Sequence, residues 1–184
     1  PGVNVQTADY YTMSDFSSWG PLPSLELKPE ITAPGGGIYA AVPGSSYESM
    51  DGTSMASPHA AGAMAIVQQA LKKRNPDMSA ADRKHMTDTL LMSTAHIIYG
   101  ENGVPVSPRK QGAGLISIHD AVSTEAYLSV AGQIKPKLEL KDDPDMTGKY
   151  TMTFTVHNTG DTPLYYDITP WVLTDGSAEY TNAE

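Results

Sequence analysis

The run Gly52-Thr53-Ser54-Met55-Ala56-Ser57-Pro58-His59, continuing as Ala60-Ala61-Gly62-Ala63-Met64-Ala65-Ile66-Val67, constrains this chain more than any other stretch. It places a serine at the start of a helix built from small residues. Such a helix covers little area itself and is stable only where neighbours approach its backbone closely. The spacing predicts a helix over residues 54–73, with Pro58 in the tolerant first turns and Lys72, Lys73 and Arg74 complementing the dipole at its end. A serine in a first turn sits beside unpaired backbone N–H groups and the positive end of the helix dipole. Those groups can hold the oxyanion that forms when a hydroxyl attacks a carbonyl. Gly52 and Ala56 leave room for a substrate backbone to reach the Ser54 hydroxyl.

Three further blocks accompany this one in order. They are Ser14-Asp15-Phe16-Ser17-Ser18-Trp19-Gly20, then Lys28-Pro29-Glu30-Ile31-Thr32-Ala33-Pro34-Gly35, then, after the serine, Gln111-Gly112-Ala113-Gly114-Leu115-Ile116. Together the four blocks resemble the active-site serine region of the subtilisin family of serine proteases. The resemblance implies a parallel α/β sheet flanked by helices and hydrolysis of peptide bonds through an acyl-enzyme. It implies that Ser54 is the nucleophile, that its own backbone N–H is one oxyanion donor, and that Thr53 supports that hole. Met55 next to the nucleophile implies sensitivity to oxidants, because a sulfoxide is polar and bulkier. The implied partner is a protein or peptide substrate.

The family's chain order is Asp, His, Ser, yet no histidine precedes Ser54. The first is His59, five residues on. At about 100° per residue it is rotated roughly 140° away from the serine and points elsewhere. Asp51 lies beside the nucleophile, whereas a triad carboxylate must sit behind the imidazole; it reads as a polar residue complementing the helix dipole. The asparagine that supplies the family's side-chain oxyanion donor has no counterpart, since only Asn4 precedes the serine. The chain also starts at Pro1 without a leader. The expectation is therefore a fragment of a secreted or cell-surface endopeptidase whose upstream part supplies Asp, His and the oxyanion Asn. The alternative is a noncatalytic structural or adhesive remnant of such a protease.

Composition narrows the rest. With 40% hydrophobic residues the chain can build a core, and a net charge of −9 disfavours nucleic acid. No apolar run approaches the ~20 residues that span a bilayer, so no membrane insertion is expected of this segment. Zero cysteines exclude disulfides and thiolate zinc sites; an extracellular, cell-wall-associated location rests on the resemblance alone. No cofactor is expected, and no metal. Asp142, Asp143, Asp145 and Gly148 suggest a calcium loop, but the twelfth position from Asp143 is Phe154, where an acid is required.

Residues 10–16 and 38–42 have the character of buried strands, and residues 33–37 form a turn signal. Ser79-Ala80-Ala81-Asp82 resembles a capping box opening a second helix with Met86, Leu90 and Leu91 on its apolar stripe. Residues 97–109 read as loop and 116–122 as a short closing helix. Beyond about Leu128 the pattern changes to alternation: Tyr150, Met152, Phe154 and Val156, then Leu164, Tyr166 and Ile168 after a turn cluster. This looks like the fibronectin-type-III-like domain that follows the catalytic domain in Gram-positive cell-envelope proteases of the lactocepin and C5a-peptidase type. The predicted fold class is α/β: the C-terminal part of a subtilisin-like parallel-sheet domain over residues 1–127, then an incomplete antiparallel β-sandwich module over 128–184.

Overall fold

The computed structural model describes residues 11–175 and 180–183. Its centre is helical. Helix α1 spans Thr53–Arg74 and ends where the Asn75 N–H bonds the Leu71 carbonyl. Helix α2 spans Ala80–Ser93, and the Ser79 hydroxyl oxygen accepts from the Asp82 N–H at 3.1 Å while donating to the Asp82 carboxylate at 2.7 Å. Two shorter helices follow, α3 at Pro108–Gln111 and α4 at Ile118–Ser123.

The core lies between α1, α2 and α4. Ala63, Val67 and Leu71, four residues apart, form one buried stripe on α1, and Leu90, Leu91 and Ala121 meet it. Each of the larger buried side chains, Val67, Leu71, Leu90 and Leu91, contributes ~1.5–3 kcal/mol. Thr87 is buried with them, and its hydroxyl is satisfied by the Arg83 carbonyl at 2.7 Å. The other flank of α1, with Ala61, Gly62, Ala65 and Ile66, is exposed.

A second organising centre is where three chain segments cross. Leu115 bridges Thr32 in parallel and His96 in antiparallel fashion. The Thr32 N–H bonds the Gly114 carbonyl at 2.8 Å, and the Ile116 N–H bonds Thr32 at 2.9 Å. Gly112 and Gly114 are required here: both have positive φ, and a side chain on either would collide with the Glu30 or His96 backbone. Gln111, 3% exposed, fastens the adjoining loop by accepting from the Ile98 N–H at 2.7 Å and donating to the carbonyls of Ile98 and Val106 at 3.1 and 2.5 Å.

The strands depart from expectation. Ile38–Val42 (β1) does not join a parallel sheet but pairs antiparallel with Ser46–Met50 (β2), Ile38 opposite Met50 and Val42 opposite Ser46. The cause is the Pro43-Gly44-Ser45 turn, whose positive φ at Gly44 and Ser45 folds the chain back locally. Of the expected parallel sheet, the described residues show one bridge, Thr32 to Leu115. Residues 11–16 hold no strand, and Tyr10 lies outside the described residues.

After the helices, Ala126–Ser129 (β3) runs across position 127 and pairs with Thr155–Asn158 (β4). Val172–Asp175 (β5) pairs with Tyr180–Ala183 (β6). Among the described residues these are two separate antiparallel pairs. Residues 150–154 and 164–168 alternate as expected but form no strand. Residues 135–141 return to the loop before Thr32. There Lys135 donates to Glu30 at 3.0 Å and Lys137 donates to the Leu27 carbonyl at 2.9 Å.

Candidate active site

Ser54 is the second residue of α1, and its seat is built by the turn around Pro34 and Gly35. Gly35 is buried beneath the helix start, and its carbonyl accepts from the Gly52 N–H at 2.8 Å. A Cβ at Gly35 would lie 2.7 Å from the Gly52 oxygen and 3.0 Å from the Ala56 Cβ, so only glycine lets the turn and helix approach this closely. Gly52 itself has φ 154°, a conformation side chains rarely adopt. Asp51 does not act on the first turn of the helix. Its carboxylate instead accepts from the Gly37 N–H at 2.6 Å and closes the base of the β1–β2 hairpin.

The donors at the helix start are divided. The N–H groups of Met55 and Ala56 both reach the Gly52 carbonyl, at 3.0 and 3.3 Å. Those of Thr53 and Ser54 have no partner among the described residues, as helix geometry leads one to expect. The Ser54 side chain is exposed, and its hydroxyl is likewise unbonded among them. An exposed hydroxyl beside two unspent N–H donors, at the positive end of a 22-residue helix, is a suitable place for an attacking oxygen and its developing oxyanion.

His59 is engaged elsewhere. Its Nδ1 lies 2.9 Å from both the Pro34 and the Met55 carbonyl oxygens. Two acceptors require the proton on Nδ1, so the ring ties α1 to the Pro34 turn. Met55 is half-buried, with its sulfur 3.7 Å from where a Gly52 Cβ would stand. Thr53, Ala56 and Ser57 border a cavity of about 240 Å³ that Ser17, Thr32 and Lys110 also line.

Two acidic groups away from Ser54 have structural work. Asp143 accepts from the Gly148 N–H at 2.7 Å, and backbone bonds from Gly148 and Thr147 hold its pKa below the usual carboxylate range. The loop is thus closed by its own hydrogen bonds. Asp120 is lowered further by the Ser117 hydroxyl, His119 and His96, the last donating to it at 2.6 Å. Among the described residues, no three histidine or acidic side chains are arranged to hold a metal.

Sequence reasoning missed the supporting parts. Gly35 reads locally as a turn residue, and nothing in its neighbourhood in sequence marks it as the floor of the helix start. The tie from His59 to Pro34 joins positions 25 residues apart and has no local signature.

Comparison with known proteins adds an independent observation. The Subtilase family model matches residues 3–114. The PII-type proteinase of Lacticaseibacillus paracasei is 40% identical over 184 residues, covering 93% of this chain and 9% of that protein. The PII-type proteinase of Lactococcus lactis subsp. cremoris is 39% identical, with the same coverage of each. The C5a peptidase of Streptococcus pyogenes is 36% identical over 166 residues, covering 89% of this chain and 14% of that protein. The chain thus spans a small part of the length of these relatives. Among solved structures, the prenylagaramide maturation protease PagA superposes with a TM-score of 0.46 at 26% identity, over 59% of this chain and 36% of that one.

Proposed function

Because this chain belongs to the subtilase family, we propose that it carries the nucleophile of a secreted or cell-surface serine endopeptidase and that Ser54 is that nucleophile. The observation that carries this reading is the exposed Ser54 hydroxyl at a helix start whose first two N–H groups have no partner among the described residues. The Ser54 N–H serves as one oxyanion donor, and Thr53 supports the hole. The general base is not His59, whose ring is held by Pro34 and Met55. No histidine precedes Ser54, and Asn4 alone among asparagines does. The Asp, the His and the second oxyanion donor therefore come from an upstream segment, which completes a site that cleaves protein or peptide substrates. Residues 1–127 form the C-terminal part of that catalytic domain, and residues 128–184 begin a β module.

The 184 residues alone are accordingly inactive. Loss of the base forfeits most of a triad contribution on the order of 10⁶, and a missing oxyanion donor a further ~10²–10³. A fluorophosphonate probe applied to a longer protein that includes the upstream segment is expected to label Ser54 and not Ser57. Labelling that survives Ser54→Ala would overturn the assignment, as would robust peptide turnover by the 184 residues alone.

A further inference from the structure

Resting on Ser54 as the nucleophile, we propose that Lys137, with Lys135 beside it, is a positioning residue for that serine. Both lysines lie beyond residues 1–127, yet they fasten the segment that leads into the floor of the helix start.

Lys137 is a hub. Its Nζ donates to the Leu27 carbonyl at 2.9 Å and lies 2.7 Å from Glu139, 3.5 Å from Glu30 and 3.6 Å from Glu26. Lys135 donates to Glu30 at 3.0 Å. Isolated ion pairs on a surface hold little, because solvent screens them and two long side chains must be ordered. Here the Lys137 side chain is only 11% exposed, and those of Glu139 and Glu30 are 14% and 19% exposed. Three carboxylates converging on one shielded ammonium fix its place, and with it the backbone at Leu27.

Close backbone contacts hold the same segment independently. A Cβ on Gly20 would run into the Lys28 carbonyl, and one on Gly112 into the Glu30 backbone. The Gly20 N–H bonds the Arg109 carbonyl at 2.7 Å, and the Ala113 N–H bonds that of Glu30 at 2.9 Å. Residues 27–30 are thus gripped by these contacts together with the two lysines. From Glu30 the chain passes Thr32, tied to Gly114, and reaches Pro34 and Gly35, whose carbonyls meet the His59 ring and the Gly52 N–H. Planar peptides leave so short a run few dihedrals in which to absorb a shift at Glu30 before it reaches the floor. A misplacement of ~1 Å costs on the order of 10²-fold in rate. Thr32 takes up part of the displacement, so loss of the lysines is expected to cost about tenfold.

The test uses a longer protein that includes the upstream segment. In Lys135→Met/Lys137→Met, kcat for a peptide is expected to fall about tenfold while KM changes less than about twofold. Fluorophosphonate labelling of Ser54 should slow by the same factor and still reach completion. A misplaced serine reacts slowly, whereas an unfolded fraction does not react at all. Lys135→Arg/Lys137→Arg should recover most of the rate, and Lys149→Met, at an exposed lysine further along, should leave it unchanged. An unchanged kcat and labelling rate in the double methionine variant would overturn the proposal, and so would a loss confined to the labelled fraction. If that variant does not fold, Lys135→Met alone keeps the hub; a slowing of about threefold supports the proposal and none overturns it. Failure of the Ser54 reading is separable, because the unmutated protein itself would then take no label at Ser54.

Discussion

The helical core and the segment after Val130 both carry apolar side chains throughout but meet opposite fates. In α1, α2 and α4, side chains four residues apart meet a second and third helix, and Val67 and Thr87 are wholly shut off from water. Between residues 131 and 173 no described residue is buried; Met152, Tyr165, Ile168 and Trp171 are all exposed. A helix stripe is covered as soon as one neighbouring helix lies against it. A β-hairpin has two faces, and each stays open until another layer, sheet or helix, packs on it. Period-two patterning therefore specifies a strand only together with its facing layer.

This contrast can be broken most directly by amide hydrogen exchange. Protection is expected to be several orders of magnitude greater in residues 60–71 of α1 than in 161–170, because opening the core requires global unfolding. Equal protection in the two stretches would show that the later segment packs as tightly as the helices. Core deletions sharpen the same point at smaller amplitude. Val67→Ala is expected to destabilise by about 2–3 kcal/mol, and Met152→Ala by less than about 0.5 kcal/mol, in urea titrations followed by circular dichroism. A Met152→Ala loss as large as that of Val67→Ala would remove the distinction.

The smallest effect concerns the seam between the two regions. Partial burial pushes the Glu30 carboxyl up, but hydrogen bonds and charge from Lys28 and Lys135 outweigh it and lower its pKa from 4.5 to about 2. A folded-state pKa below the unfolded value means that the Glu30 contribution is present above about pH 4.5 and is lost as pH falls toward 2. NMR titration should place the Glu30 midpoint near the lower figure and move it upward in Lys135→Met. An unshifted midpoint in that variant would show that Lys135 does not hold the seam.

Much of the helical half was legible from local chemistry. The expected helix over 54–73 is observed as Thr53–Arg74, the Ser79 cap opens α2, and the closing helix begins two residues later than expected, at Ile118. Each of these depends on residues within one or two turns. The hairpin is not legible in the same way: Ile38–Val42, considered alone, has the composition of a buried strand, and its partner is decided by Pro43-Gly44-Ser45. At the candidate site, Ser54 and its helix were readable, whereas Gly35 beneath it depends on a contact between distant segments. The same holds for Gly112 and Gly114, whose need for glycine comes from Glu30 and His96.

The crossing at Leu115 also sets an order in time. Thr32 is tied to Gln111, 79 residues away, by a hydrogen bond of 2.9 Å, and both α1 and α2 lie inside the loop that this closure completes. The helices can form from near neighbours as they are made, and Gly52, Asp51 and His59 can already hold the Pro34–Gly35 turn to the start of α1, but the Thr32 end of that segment is held only after Leu115 arrives. On a ribosome adding ~5–20 residues per second, Leu115 follows Ser54 by roughly 3–12 s. The serine and the turn that seats it are therefore synthesised well before Thr32, at the far end of that turn, is fastened to the rest of the fold.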